Sequence, residues 1–278
     1  MLLALAAGIT WGISDFFGGL TSRRLALAAV LLVSQVVGAV LLLTVATLHS
    51  PLPLEPSLAF AAAGSILGLI GITGLYRGMA VGSISIVAPI SATGAVIPVL
   101  FGLLRGERAS SLQTVGIGLA LVGIVLASRA ADDTHAATDR PLIASGVGYA
   151  LLAALGFGGF FVFLHEASVT DVLWAGAVQR VTGVVVIGAV VLVRRTSLRI
   201  PRQIWPALLL VGVLDTTANV LYAFASTVGL VSLAAMLASL YPVATVLLAR
   251  VVLRERMSRT QATGVVCALV GVACIALQ

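Results

Sequence analysis

The chain predicts an all-α integral membrane protein, with ten transmembrane helices arranged as two inverted five-helix repeats. Three observations lead there. Of its 278 residues, 60% are hydrophobic and only 9% charged, whereas a soluble domain carries roughly 45–50% apolar and about 25% charged residues. Apolar runs long enough to cross about 30 Å of hydrocarbon recur along the whole length. The second half also repeats the first. A globular core of this size has no room for so much apolar surface, but a bilayer covers the outside of each helix with lipid.

The apolar runs lie near residues 2–20, 25–48, 57–79, 83–104, 110–128, 141–164, 172–193, 204–226, 228–249 and 260–277. The first has no basic leader, and Arg23 and Arg24 follow it, so it reads as a retained helix and not a cleaved signal. The polar stretch SRAADDTHAATDR, ending at Arg140, separates the fifth run from the sixth. It divides the chain into a first repeat at 1–128, a linker at 129–140 and a second repeat at 141–278. Cys267 and Cys274 share the last run, seven residues apart. That is about 10 Å along a helix, too far for a disulfide, and they read as small buried apolar residues.

The repeat is anchored at two offsets. Shifted by 148 residues, Glu107-Arg108, Ser110, Gln113, Gly116 and Ala120-Leu121-Val122-Gly123 match Glu255-Arg256, Ser258, Gln261, Gly264 and Ala268-Leu269-Val270-Gly271. Shifted by 146, Trp11-Gly12 and Phe17 meet Phe157-Gly158 and Phe163, and Leu75-Tyr76 meets Leu221-Tyr222. Five spans is an odd number, so the second half enters the membrane in the opposite sense, as in the inverted repeats of secondary transporters. Such symmetry puts a binding site near the midplane between the halves. Among loop arginines, twelve follow odd-numbered runs, whereas Arg105 and Arg108 follow an even-numbered one. The positive-inside rule then places the protein in a cell (inner) membrane with both termini outward.

Together these residues resemble the EamA type of the drug/metabolite transporter superfamily. The resemblance rests on the Trp-Gly of the first run, the Leu-Tyr that closes the third and eighth, and the Glu-Arg-x-Ser-x-x-Gln-x-x-Gly that opens the fifth and tenth. It implies a proton- or gradient-driven exporter or exchanger of metabolites with a central cavity, and leaves the substrate open. Pro242 stands where that family commonly has a proline, but the aligned first-half residue is Gly94, with Pro89 and Pro98 to either side.

Ionisable groups at membrane depth are costly and mark function by default. Asp15, Arg180 and Asp215 are the three that stand out. Asp215, Asn219, Tyr222 and Ser226 recur at i, i+4, i+7 and i+11 and share one helical face, while Gln179 and Arg180 on the neighbouring run offer partners. Asp215 and Arg180 are expected to neutralise one another in the cavity, with Asn219 and Tyr222 reading the polar end of a solute. A static interhelical pair is the alternative. Asp15, one turn after Trp11, reads as a proton-coupling carboxylate or as part of a break facing the headgroups. Trp11, Phe157 and Tyr76 either stack on solute or fill space. Glu107 and Glu255, each followed by an arginine (Arg108, Arg256), suit the positive end of a helix and are read as structural caps on opposite sides of the membrane. Gly64-x-x-x-Gly68 fits close helix packing.

Other chemistry lacks its signals. The sequence has no His-Glu-x-x-His, no zinc spacing of cysteines and no lysine at all, hence no P-loop lysine. No catalysis, metal or cofactor is expected. Every basic residue behind the net charge of +6 is an arginine, and the arginines sit mostly in short loops, which speaks for topology and against nucleic acid. The expected partners are the lipid bilayer, a small solute and protons as the candidate coupling ion, with the chain a monomer or homodimer. A secondary transporter is the leading reading. A non-transporting membrane scaffold or sensor is the alternative, and a solvated cavity lined by Asp215 and Arg180 discriminates between them.

Overall fold

In a computed structural model the chain is described at residues 1–82, 84–107, 110–127, 146–254 and 259–276. The linker 129–140, Arg108, Glu255 and Arg256 lie outside these. Every regular element among the described residues is helical: α1 (Leu2–Ser22), α2 (Leu27–His49), α3 (Leu58–Val81), α4 (Ile84–Ala92), α5 (Val96–Leu104), α6 (Ser111–Ala127), α7 (Val147–Ser168), α8 (Val172–Arg194), α9 (Trp205–Val228), α10 (Val231–Ala238), α11 (Tyr241–Val252) and α12 (Arg259–Ala276), with short 3-10 turns before α5 and α9. Eight stretches are long and apolar enough to cross a membrane, α4–α5 and α10–α11 each counting as one. The two remaining expected runs are α6 and α12, of 17 and 18 residues, which pack against each other.

Helix packing exchanges evenly between the halves. α3 packs on α7 as α1 packs on α9; α3 meets α8 as α2 meets α9; α2 faces α8, and α5 faces α10. Small residues permit close approach: Gly64 and Gly68 of α3 sit against Phe163 and Phe160 of α7, and Gly156 of α7 lies against the backbone of Gly71.

Both halves break one helix, and proline supplies the cause. Pro98 cannot donate to the carbonyl of Gly94, nor Pro242 to that of Ala238, so each helix is interrupted just before its proline. Gly94 therefore does not remove the bend from the first half. Each break is received by a glycine on the first helix of the other half. A side chain at Gly158 would strike the Gly94 carbonyl, and one at Gly12 would strike the Tyr241 carbonyl and Ala244. The Thr245 hydroxyl adds a hydrogen bond to the Gly12 carbonyl at 3.0 Å. This docking explains why an aromatic-Gly pair recurs at 11–12 and 157–158: the glycine lets the broken helix approach, and the aromatic before it is carried toward the molecular centre.

The two membrane faces differ in charge. Arg23 donates to the Met79 carbonyl at 3.0 Å, tying the ends of α1 and α3 on one face. Arg24, Arg194, Arg195, Arg199, Arg202 and Arg254 join it there, as does exposed Arg77 in the last turns of α3, a charge absent from the loop tally. The opposite face carries Glu55, Glu107, Glu166 and Asp171 with Arg105.

Gly12→Ala is expected to cost about 1–3 kcal/mol by overpacking the α1–α11 contact, whereas Gly118→Ala, with nothing within 4 Å, should cost nothing. Thermal unfolding in detergent distinguishes the two.

Candidate functional site

A cavity lies near the middle of the bundle, at the junction of the halves. α1 contributes Trp11 and Asp15, one turn apart on the same face; α2 contributes Gln35; α3 contributes Ser65, Gly68, Leu69 and Ile72; α7 contributes Phe157, Phe160 and Phe161; α8 contributes Gln179 and Arg180; α9 contributes Asp215 and Asn219; and α11 contributes Tyr241. The volume open to water centres is ≈ 50 Å³, room for a few waters at roughly 10–15 Å³ each.

One wall is charged. The Arg180 Nη1 donates to Asp215 Oδ2 at 2.6 Å, with the two side chains 1% and 8% exposed. Gln35 Oε1 accepts a second, longer contact from Nη1 at 3.4 Å. Two glycines make the pairing possible, and they are reciprocal: Gly38, three residues after Gln35, leaves room for the Arg180 side chain, and Gly183, three residues after Arg180, leaves room for Gln35. The Nε and Nη2 of Arg180, with the hydroxyls of Ser34 and Thr216, find no hydrogen-bond partner among the described residues. Asn219 Nδ2 donates to Gln179 Oε1 at 3.4 Å, and Ser65 donates to the Gln179 carbonyl at 2.7 Å. Asp15 is 4% exposed, belongs to neither of the ion pairs found among the described residues, and lies within electrostatic reach of Asp215.

The opposite wall is aromatic. Trp11 meets Phe160, Phe161 and Tyr222 with ring centroids 5.6–6.3 Å apart. Phe157 stands edge-on to Tyr241 at 6.2 Å. The Tyr241 hydroxyl is bonded to that of Ser91 on α4, joining the two broken helices.

Of the residues singled out from sequence, Trp11, Asp15, Gln179, Arg180, Asp215 and Asn219 converge on the cavity, and Phe157 with them. Tyr76 and Tyr222 lie behind its wall, each 0% exposed. Tyr222 donates to the Phe161 carbonyl at 3.0 Å, and Tyr76 lies under Gly18, bordering Ser14 and Asp15. Ser226 turns back to its own helix at the Ala223 carbonyl. Gln35, Ser65, Phe160, Phe161 and Tyr241 were missed. Gln35 was findable as a lone amide in a 23-residue apolar helix, and Phe160-Phe161 as neighbours of Phe157.

Glu107 is a cap, but of a different helix than expected. Its carboxylate turns from α6 and accepts from the backbone N–H groups of Val231 (2.8 Å) and Ser232 (3.2 Å), at the start of α10 in the other half. Neighbouring contacts on that face also join the halves: Arg105 to Glu166 at 3.2 Å, Ser50 to Asp171 at 3.3 Å, and Ser57 to Thr170 at 2.8 Å. The Ser22 and Arg23 bonds on the arginine-rich face stay within the first half.

The family model of the EamA-like transporter family matches residues 1–129 and again 144–277. The chain belongs to that family. It is thereby a multi-pass membrane protein of the drug/metabolite transporter superfamily. The EamA-like chain is also 28% identical over 131 residues to an uncharacterised protein of Methanocaldococcus jannaschii, a match covering 46% of this chain and 95% of that one. A solved crystal structure shares its fold, with a TM-score of 0.73 at 18% identity over 99% of this chain and 96% of the other.

Asp215→Asn strands a buried guanidinium and is expected to destabilise the protein by about 3–5 kcal/mol, whereas the apolar pair Arg180→Met with Asp215→Leu should recover most of the loss. Denaturation of Asp215→Asn, together with a cycle over Arg180→Met, Asp215→Leu and their double variant, measures this.

Proposed function

We propose that the chain is a secondary active transporter of a small solute, in which two inverted five-span halves expose the central cavity alternately to each side. The carrying observation is the distribution of contacts between halves around that cavity. Ser50, Ser57, Arg105 and Glu107 bind the second half at the face opposite the arginine-rich loops. Such an arrangement seals one entrance with exposed or part-buried polar bonds, of which the exposed Arg105–Glu166 and Ser57–Thr170 contacts are replaced by water at little cost.

Several facts support the inverted plan, with α6 and α12 as the fifth and tenth spans. The helix pairings exchange between halves, and the two proline breaks dock reciprocally on Gly12 and Gly158. The archaeal relative matches over nearly its whole length at half the length of this chain. With the arginine-rich face inside, the sealed entrance is the outer one, and both termini are outward.

Asp15 is the coupling carboxylate in this reading. Asp215 has its counter-charge at 2.6 Å, whereas Asp15 belongs to no ion pair among the described residues, and a buried carboxylate without a counter-charge must take up a proton or a cationic group. Proton uptake and release at Asp15 then links solute movement to a pH gradient. The aromatic wall from Trp11 to Tyr241 holds the apolar part of the solute, and Gln35, Gln179 and Asn219 read its polar groups.

Proteoliposomes loaded with a labelled metabolite panel test this. At least one solute should move in response to an imposed pH gradient, and Asp15→Asn should abolish the response while the chain stays folded. In a Cys267- and Cys274-free background, a disulfide between Ser57→Cys and Thr170→Cys should stop flux until reduced. Flux that persists through the oxidised lock sinks alternating access, and a panel without any flux leaves the scaffold reading.

A further inference from the structure

The loop from α8 to α9 concentrates charge in a way that topology alone does not require. Arg194, Arg195, Arg199 and Arg202 fall within nine positions and are all exposed. The ion pairs among the described residues involve Arg105 and Arg180, not these four. The described acidic residues outside the bundle core, Glu55, Glu107, Glu166 and Asp171, all lie on the other face. Arg195 moreover adopts φ 48, closing α8 with bonds from Arg195 N–H to the Leu192 carbonyl (3.3 Å) and from Thr196 N–H to the Val191 carbonyl (3.0 Å). Glycine usually takes that left-handed position because a Cβ is disfavoured there. Arg254 at φ 56 closes α11 on the same face, and these two arginines are the left-handed residues other than glycine among those described.

Apolar groups flank the arginines. Trp205 is 40% exposed at the start of α9, Leu198 is 44% exposed in the loop, and Val193 is 83% exposed at the end of α8. An indole at the headgroup level with aliphatic side chains beside it matches the layered chemistry of a lipid. Guanidinium groups pair bidentately with phosphate and retain their charge at any physiological pH.

We propose that the α8–α9 loop is a binding site for anionic phospholipid, in which Arg194, Arg199 and Arg202 hold the headgroup phosphate and Trp205 lies beside the glycerol backbone. The loop links the helix that carries Arg180 to the one that carries Asp215, so a bound lipid ties the ends of the two helices whose buried charges must stay paired.

Tryptophan quenching by brominated lipids tests this in the full chain reconstituted into phosphatidylcholine vesicles, with or without phosphatidylglycerol. Brominated phosphatidylglycerol should quench more than brominated phosphatidylcholine at equal mole fraction. The excess should vanish in Trp205→Phe and shrink as salt is raised. Neutralising Arg194, Arg199 and Arg202 to Gln should weaken the preference by about fivefold for each arginine, while quenching by the neutral lipid stays unchanged, which reports an intact fold. Equal quenching by the two lipids in the natural chain overturns the proposal without recourse to any variant. So does an excess that survives in the triple variant or in high salt.

Discussion

A guanidinium at mid-membrane tolerates few arrangements, and the Arg180–Asp215 pair constrains what surrounds it. Taking either charge out of water alone costs several kcal/mol even after relaxation, so α8 and α9 must be held where Nη1 and Oδ2 meet at 2.6 Å. That demand propagates outward. Gly38 must stay small for the arginine to pass α2, Gly183 must stay small for Gln35 to reach it, and Gly212 lets α9 lie against Val37 and Ser34. The pair also divides the cavity chemically. It satisfies Asp215 and leaves Asp15, on the proposed reading, as the carboxylate that responds to what enters.

The second constraint is the way each half receives the other's broken helix. Breaking a helix in lipid exposes carbonyl groups that water cannot satisfy. Here the prolines create the breaks, and the glycines at 12 and 158 bring a helix backbone close to them. The cost of the break is thereby converted into contact between halves, and it falls at the depth of the cavity. Trp11 and Phe157 are delivered to the cavity by the same geometry, and Tyr241, at the start of α11, faces Phe157 from the break itself. Gly12, Gly158 and Pro242 are thus each next in sequence to a residue that lines the site.

Charge asymmetry between faces completes the picture. Among the described residues, acids and side-chain hydrogen bonds between the halves gather on one side and most arginines on the other. Polar contacts at a water-exposed entrance are individually weak, which suits a seal that must open, whereas the buried ion pair is too costly to break and suits a fixed element. Transport, on the proposed reading, therefore works by exchanging the weak contacts around a strong one.

Composition and hydropathy alone determined the membrane class and the positions of most spans, because a helix in lipid must be apolar over its own length regardless of its neighbours. The duplication was legible for the same reason: identities at fixed offsets are a property of the string. Asp215 and Asn219 were placed on one face because helical period is local, and Arg180 was suggested as partner from proximity in sequence. Tertiary structure decided the rest. Tyr222 shares the Asp215 face, yet its hydroxyl donates to the Phe161 carbonyl of α7 and the side chain lies behind the cavity wall. Glu107 stands before α6 in sequence but caps α10, whose first amides the fold brings to its carboxylate from the other half. Periodicity fixes which residues share a face; only the docking of one helix on another fixes what that face meets.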